Sequence, residues 1–475
     1  MIEKAFNPED FKATGYELID TLSEYLATTQ QNPDKLLVND YQTPEKQREK
    51  WENYDFANGL SEYFKEFLQD SIHIHHPRYM GHQISTTAPI AALAAMMSDF
   101  LNNGMGIYEM GQSSVAMEHL VVQRLAQKMG FDDKAGGFLT SGGTLANLTA
   151  LLAARRKQAT ANVWQEGNQQ PLALMVSEQA HYCVERAVKI MGWGDAGIIK
   201  IPVDEQFCLR TDLLQSYYEQ AIAQGKEVVA VVGSACSTAT GSYDNLEAIA
   251  DFCVQHNVWF HVDGAHGASA VFSDKHRHKV QGINRADSVV MDFHKTLLVP
   301  ALATGLVFKD VNDSYNTFAQ NAHYLWNDDE EQEWFNFAKR TFETTKFPMG
   351  FKVFTVWSYY GDALLEEMID TIYGLGDTFA QLLQQHPSFE LAMPPACNIV
   401  CFRYTATHED LSKVNSLIRQ HILAEGKFYI VQALLNGETY LRVTLANPAT
   451  TAQDLEDLLE HIVQIAQRQV PATKV

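Results

Sequence analysis

Two short stretches decide the fold: Trp259-Phe-His-Val-Asp-Gly-Ala-His-Gly267 and, downstream of it, Ser288-Val-Val-Met-Asp-Phe-His-Lys-Thr296. The first is an apolar run that delivers Asp263 into a Gly-Ala turn. The second delivers His294 and Lys295. Chemistry placed at the ends of parallel strands is where open α/β sheets hold their ligands. Each half alone has an ordinary explanation, since Asp before Gly is a common turn pair and a His-Lys pair is usually plain surface. It is their joint occurrence, in this order and with matched pieces on either side, that points to a site.

A carboxylate and an amine that both approach one flat ring are what pyridoxal 5'-phosphate (PLP) requires, Asp263 to keep a proton on the pyridine nitrogen and Lys295 to condense with the aldehyde. The amine must be neutral to attack, and burial near other cations is expected to lower its pKa. Upstream, Gly136-Gly-Phe-Leu-Thr-Ser-Gly-Gly-Thr144 followed by an Ala/Leu run to Arg155 reads as strand, turn and helix. A Ser141-Gly142-Gly143-Thr144 turn that opens a helix aims backbone N–H groups and the positive end of the helix dipole at one spot, which suits a phosphate dianion. Capping by Ser141 or Thr144 is the plain alternative. The run Leu172-Ala-Leu-Met-Val-Ser177 leads to His181, whose imidazole is placed to stack on the ring, and a strand over residues 227–232 leads to Gly233-Ser-Ala-Cys-Ser-Thr238, whose hydroxyls can touch cofactor or substrate. Strand, turn and helix alternate from about residue 137 to 310, which implies a mainly parallel sheet covered on both faces.

With 475 residues, 46% hydrophobic and 20% charged, the composition is that of an ordinary globular protein of more than one domain. The formal charge of −22, from 36 basic and 58 acidic residues, disfavours a nucleic-acid or anionic-membrane partner. No basic-then-apolar leader and no apolar run of about 18 residues stands in the sequence, so a cytoplasmic location and no membrane partner are expected. The 6 cysteines include no CxxC pair, which suits reduced thiols better than disulfides or a zinc site; no metal site is expected.

On either side of the sheet region the patterns change. Residues 1–75 read as a helical arm with apolar residues at three- and four-residue spacing over 16–26 and 60–68. An arm unable to bury both faces alone suggests packing on a second subunit. Ser71-Ile-His-Ile-His-His-Pro-Arg-Tyr-Met-Gly-His-Gln83 lacks an i, i+4 His pair or a matching carboxylate, so a loop lining a substrate pocket is a better reading than a metal site. Asn321-Ala-His-Tyr-Leu-Trp-Asn-Asp-Asp-Glu-Glu331 reads as a lid that excludes water, or as a solvated acidic linker. From 348 onward a long helix (350–375), strands over 398–403 and 439–444, and a last helix over 451–467 predict a smaller α+β domain. The expected division is therefore 1–75, 76–347 and 348–475.

Taken together, these motifs resemble the group II PLP-dependent amino acid decarboxylases, which include glutamate, aromatic amino acid, cysteine sulfinate and 2,4-diaminobutyrate decarboxylases. The likeness runs from about residue 76 to 462. It implies the PLP-dependent transferase-like fold, the aspartate aminotransferase fold type I: an α/β protein with a large mainly parallel sheet domain and a smaller C-terminal α+β domain. Residues 141–144 look like the phosphate-binding turn, and Ala180-His181 with Val-Glu-Arg-Ala at 184–187 like the stacking histidine and its helix. His261-Val-Asp-Gly-Ala265 is similar to His-Val-Asp-Ala-Ala, with Gly264 for Ala. Ala286-Asp-Ser288 and His294-Lys295 match the lysine segment, and Ala322-His-Tyr-Leu325 resembles the mobile loop that carries a tyrosine. Asp292 stands where relatives carry Asn or Asp, and Cys-Ser-Thr at 236–238 replaces Gly-Thr-Thr.

The resemblance implies decarboxylation of an L-amino acid to an amine and CO2. Lys295, Asp263, His181 and Tyr324 would be catalytic, Tyr324 delivering the proton to Cα. Thr238, Ala265 and His294 would join residues 141–144, His181, Asp263 and Lys295 around the cofactor. Arg78, His82 and Arg442 are candidates for binding substrate, which favours an acidic or diamino aliphatic substrate (glutamate, aspartate or 2,4-diaminobutyrate type). A homodimer with its active site at the subunit interface is expected. An aromatic substrate, another PLP reaction such as transamination or carbon–carbon lyase action, and an inactive binding or assembly protein of the same fold all stay open.

Overall fold

Continuous apolar runs such as Leu172-Ala-Leu-Met-Val and Val228-Val-Ala-Val-Val have no polar face to offer water, so they form strands buried on both sides. In the structure, a computed structural model that describes residues 1–318, 333–407 and 409–469, they lie inside one seven-stranded sheet. The strands are β1 (Gly136–Thr140), β2 (Leu172–Ser177), β3 (Ile198–Ile201), β4 (Glu227–Ser234), β5 (Trp259–Asp263), β6 (Ser288–Asp292) and β7 (Thr304–Phe308). Their spatial order is β1-β7-β6-β5-β4-β2-β3. The pairs from β3 to β6 are all parallel, and β7 runs antiparallel to both β6 and β1. Every residue of β2, β5 and β6 is buried.

The helix Gly143–Gln158 covers one face of this sheet through Ala146, Ala150, Leu151 and Ala154. A polar link crosses from it into the sheet. The ring nitrogens of buried His261 bond Ser288 Oγ (2.8 Å) and Asn147 Oδ1 (2.7 Å), and burial pushes this imidazole down to about 4, so it is neutral. At the outer side of the sheet Gly137 allows β1 to close on β7, because a Cβ there would stand 1.9 Å from the Leu306 carbonyl oxygen.

A second sheet of four antiparallel strands has the order β10-β11-β9-β8: β8 (Phe389–Leu391), β9 (Ile399–Tyr404), β10 (Val431–Leu435) and β11 (Glu438–Thr444). The helices Leu411–Glu425 and Ala452–Gln469 contribute Ile418, Ile422, Leu455 and Ile462 to a core with Phe402 and Leu441.

The three segments expected from the sequence fall into two compact units. One is Met1–His82 with Gly374–Ala392 and Asn398–Val475; the other is Gln83–Tyr373 with Met393–Cys397. Backbone pairing explains the difference. Val38 N–H donates to the Gly426 carbonyl (2.8 Å) and Met80 N–H to that of Tyr429 (2.9 Å), which ties the N-terminal segment to the smaller sheet. The helix Met349–Gln385 likewise divides between the units, passing from one to the other after Tyr373. Among the described residues, no helix is long and apolar enough to cross a membrane.

Candidate active site

Parallel neighbours β4, β5 and β6 end at Ser234, Asp263 and Asp292. Their carboxyl ends are laced by backbone bonds: Ala235 N–H to the Asp263 carbonyl (2.9 Å), Gly267 N–H to that of Ala235 (3.0 Å), and Asp292 N–H to that of Ala265 (3.0 Å). A cavity of about 340 Å³ opens there. Its lining includes Ser141, Gly142, Gly143, Thr144, His181, Thr238, Asp263, Ala265, His294 and Lys295. These are the ten residues expected around the cofactor, drawn from five separate stretches of chain.

At one end of the cavity the helix Gly143–Gln158 begins without a side-chain cap, its N-cap being Gly142 at φ +128°, a backbone that suits glycine. Its first-turn N–H groups and dipole form an anion cradle. Gly143 brings this turn close to the floor, since a Cβ there would stand 3.3 Å from Asp292 Oδ2. Ser141 Oγ donates to Glu343 Oε1 at 3.2 Å, a partner with no local sequence signal.

Lys295 Nζ lies 3.0 Å from Asp292 Oδ2. Asp292 is 2% exposed and also accepts a hydrogen bond from the Thr304 hydroxyl on Oδ1. Burial disfavours the lysine charge, but Asp292 and then Asp263 outweigh it, so the amine is held above an ordinary lysine. This reverses the lowered pKa expected from desolvation. The missed element is Asp292, read from the sequence as an interchangeable position of the motif, which is a buried counter-ion.

His181 caps the helix Tyr182–Ile190 by accepting the Cys183 N–H on Nδ1 (3.3 Å). Burial is the main cause that lowers its pKa, with Lys295 adding to it and Asp263 opposing. A neutral ring with Nδ1 accepting carries its proton on Nε2. Asp263 Oδ1 accepts the Ala265 N–H at 3.3 Å, which orients the carboxylate at the strand end. The anion cradle, the amine and the carboxylate are the three anchors PLP needs, so the residues present fit it.

The three candidates for substrate binding belong to the smaller unit, whereas the cavity belongs to the larger. Arg78 is committed elsewhere: its guanidinium pairs with Asp34 (2.8 Å), Asp454 (3.1 Å) and Asp457 (3.0 Å). It joins the N-terminal segment to the last helix, so the guanidinium expected to bind substrate is engaged by three carboxylates. His82 is lowered by burial, with Arg442 and Arg419 adding to the effect. Arg442 is buried on β11 and donates to Thr444 Oγ1 at 3.3 Å. His73 and His76 bond the carbonyls of Leu68 and Pro33, both at 3.1 Å, and so hold the turn. Tyr324 and the expected lid around it lie outside the described residues. Asn147, Cys183, Ser234, Cys236, Ser237, His266 and Leu302 also line the cavity; of these, Ser234 and Ser237 lie on the motif whose hydroxyls are expected to reach it.

A parallel-strand crevice that gathers an anion cradle, a lysine and an aspartate around one flat space defines a PLP enzyme. The pyridoxal-dependent decarboxylase conserved domain matches residues 41–405, and the chain belongs to that family. It is 30% identical over 351 residues to L-aspartate decarboxylase dtxS4 of Metarhizium robertsii, covering 73% of this chain and 70% of that one. It is 28% identical over 416 residues to human cysteine sulfinic acid decarboxylase, covering 84% of each. A crystal structure of mouse CSAD in apo form superposes with a TM-score of 0.89 at 24% identity, over 96% of this chain and 99% of that one. The fold is the expected fold type I, and the protein is a PLP-dependent carboxy-lyase that acts on an amino acid.

Proposed function

We propose that this decarboxylase acts on an acidic or diamino aliphatic L-amino acid, an acidic one first. The observation that carries the preference is the cavity lining, which among the described residues includes no Phe, Tyr or Trp to stack an indole or phenol ring. The named activities of the aspartate and cysteine sulfinic acid relatives support the same class. Arg442 is proposed to recognise a substrate carboxylate with His82 beside it; the support is the likeness of residues 440–448 to the carboxy-terminal segment of the glutamate and diaminobutyrate branch.

Within the site, residues 141–144 would hold the phosphate and Lys295 Nζ the aldehyde carbon. Thr238, Ala265 and His294 would wall the ring, and His181 would lie on its face. When bound, PLP supplies the electron sink that accepts the pair left by departing CO2. Asp263 keeps the pyridine nitrogen protonated, and Asp292 keeps the freed lysine amine charged. Tyr324 is assigned the proton delivery to Cα, assisted by the Nε2–H of His181.

A homodimer is part of the proposal. On the helix Pro8–Gln31, Tyr16 and Leu22 are exposed; on Pro89–Leu101, so are Leu93, Met96, Met97 and Leu101. The second helix starts against the lysine segment, where Ser85 N–H donates to the His294 carbonyl (3.2 Å) and Ala88 N–H to that of Leu298 (2.8 Å). A second subunit on that apolar face would border the site. Cytoplasmic location is proposed from the six cysteines, whose spacing without a CxxC pair suits reduced thiols.

The test is CO2 release from L-aspartate, cysteine sulfinate, L-glutamate, 2,4-diaminobutyrate and three aromatic amino acids by PLP-loaded protein. The proposal expects kcat/KM highest for an acidic member, reduced by Arg442→Met mainly through KM. A preference for an aromatic member would overturn it, and a monomer by sedimentation would overturn the dimer.

A further inference from the structure

Three soft donors meet at the back wall of the cofactor cavity. Cys236 Sγ and Cys397 Sγ lie 3.8 Å apart. A ring nitrogen of His266 completes the group, and the three atoms all lie within 4.8 Å of one another. All three side chains are buried, with 6%, 3% and 2% exposure for Cys236, Cys397 and His266. The spacing that excluded a metal site in the sequence is irrelevant here, since the donors come from the loop after β4, the turn after β5 and the segment before β9.

Backbone pairing holds the group in place. Gly267 N–H bonds the Ala235 carbonyl, and Gly267 makes the approach possible, because a Cβ there would stand 2.8 Å from the Cys236 nitrogen. On the other side Cys397 Sγ donates to the Gly241 carbonyl at 3.6 Å. Two sulfurs bound to one tetrahedral zinc at about 2.3 Å each stand about 3.8 Å apart. The observed separation needs no rearrangement to meet that geometry. Two thiolates and an imidazole select Zn²⁺ or Cd²⁺ over Mg²⁺ or Ca²⁺. Three protein ligands leave a fourth position, and Cys236 and His266 both line the cavity that also holds Lys295.

We propose that Cys236, His266 and Cys397 bind a thiophilic divalent cation, with Zn²⁺ the natural occupant, and that occupation inhibits the enzyme. Binding exchanges two thiol protons for the cation and forms two metal–sulfur bonds and one metal–nitrogen bond, with no change of oxidation state. The fourth ligand, water or a substrate carboxylate, then projects into space the reaction uses. The inference concerns the cavity wall and does not depend on which amino acid is decarboxylated.

The probe is Cd²⁺, titrated into reduced, PLP-loaded protein while the ultraviolet thiolate-to-metal absorption is followed. The band should saturate at one ion per chain, persist through gel filtration and vanish with a chelator; Mg²⁺ should give none. Activity should fall with the same midpoint. Cys397→Ala removes a direct ligand, so affinity should drop by more than the roughly 100-fold that outer-shell changes reach. Cys236→Ala should do the same, and Cys208→Ala, at a thiol outside the group, should keep the band. Circular dichroism and the bound-cofactor absorbance establish that each variant is folded. Absence of a band in the unsubstituted protein, or an unchanged band in both Cys397→Ala and Cys236→Ala, overturns the site. A saturated band with undiminished activity overturns the inhibition.

Discussion

Replacing Asp292 with Asn tests the electrostatics of the site most directly. The substitution keeps the shape and an acceptor for Thr304, and removes one buried charge 3.0 Å from Lys295 Nζ. At an effective dielectric of about 20, the gross attraction across 3 Å is about 5 kcal/mol. Asp263 remains, and local relaxation recovers part of the loss, which leaves about 3 kcal/mol, at the low end for breaking a buried pair. That energy corresponds to roughly 100-fold more neutral amine at pH 7. Because only the neutral amine attacks an aldehyde, apoprotein carrying Asp292→Asn should take up PLP up to about 100-fold faster at neutral pH, and its rate–pH profile should move toward acid. Stopped-flow absorbance of the bound cofactor measures both. Thr304→Val, which leaves the charge in place, should move the profile far less. An Asp292→Asn protein that is folded and loads PLP at the unsubstituted rate, with an unmoved profile, would refute the counter-ion role.

Three further outcomes are expected. His261 is pushed down to about 4 by burial, against about 6.5 unfolded, so its contribution to stability is complete above about pH 6.5 and lost as pH falls toward 4. This amounts to about 3 kcal/mol, and denaturant titrations of His261→Gln should show a shallower loss over that window. Gly137→Ala should cost about 3 kcal/mol or more and lower Tm, because its Cβ would meet the Leu306 carbonyl at 1.9 Å; a Tm within about 2 °C of the unsubstituted protein would contradict the close approach. Arg78→Ala should destabilise by about 2 kcal/mol, chiefly by stranding the buried Asp454, since Asp34 and Asp457 are more exposed, yet leave KM unchanged; a tenfold rise in KM would mark Arg78 as a substrate ligand.

What was legible in the site follows from the range over which each signal acts. Asp263, Lys295 and residues 141–144 sit on short local patterns, an apolar run followed by a turn or a helix start, and such patterns are written in neighbouring residues. Asp292 was visible as a letter of the motif but not as a counter-ion, since its effect on Lys295 depends on burial and on Thr304, twelve positions away on an antiparallel neighbour strand. The direction of the lysine's pKa depends on the same burial and pairing. Arg78 looked available because its three partners lie at 34, 454 and 457.

By itself the sequence determined the chain order of strands, turns and helices and a mainly parallel sheet, because hydrophobic period and turn chemistry are properties of adjacent residues; the fold type followed from the resemblance of its motifs to the decarboxylases. Only the tertiary structure decided which charges neutralise one another, which segments share a compact unit, and that Cys236, His266 and Cys397 converge behind the cavity. Those outcomes are distances between residues far apart in the chain, and they come into being only when the sheets pack.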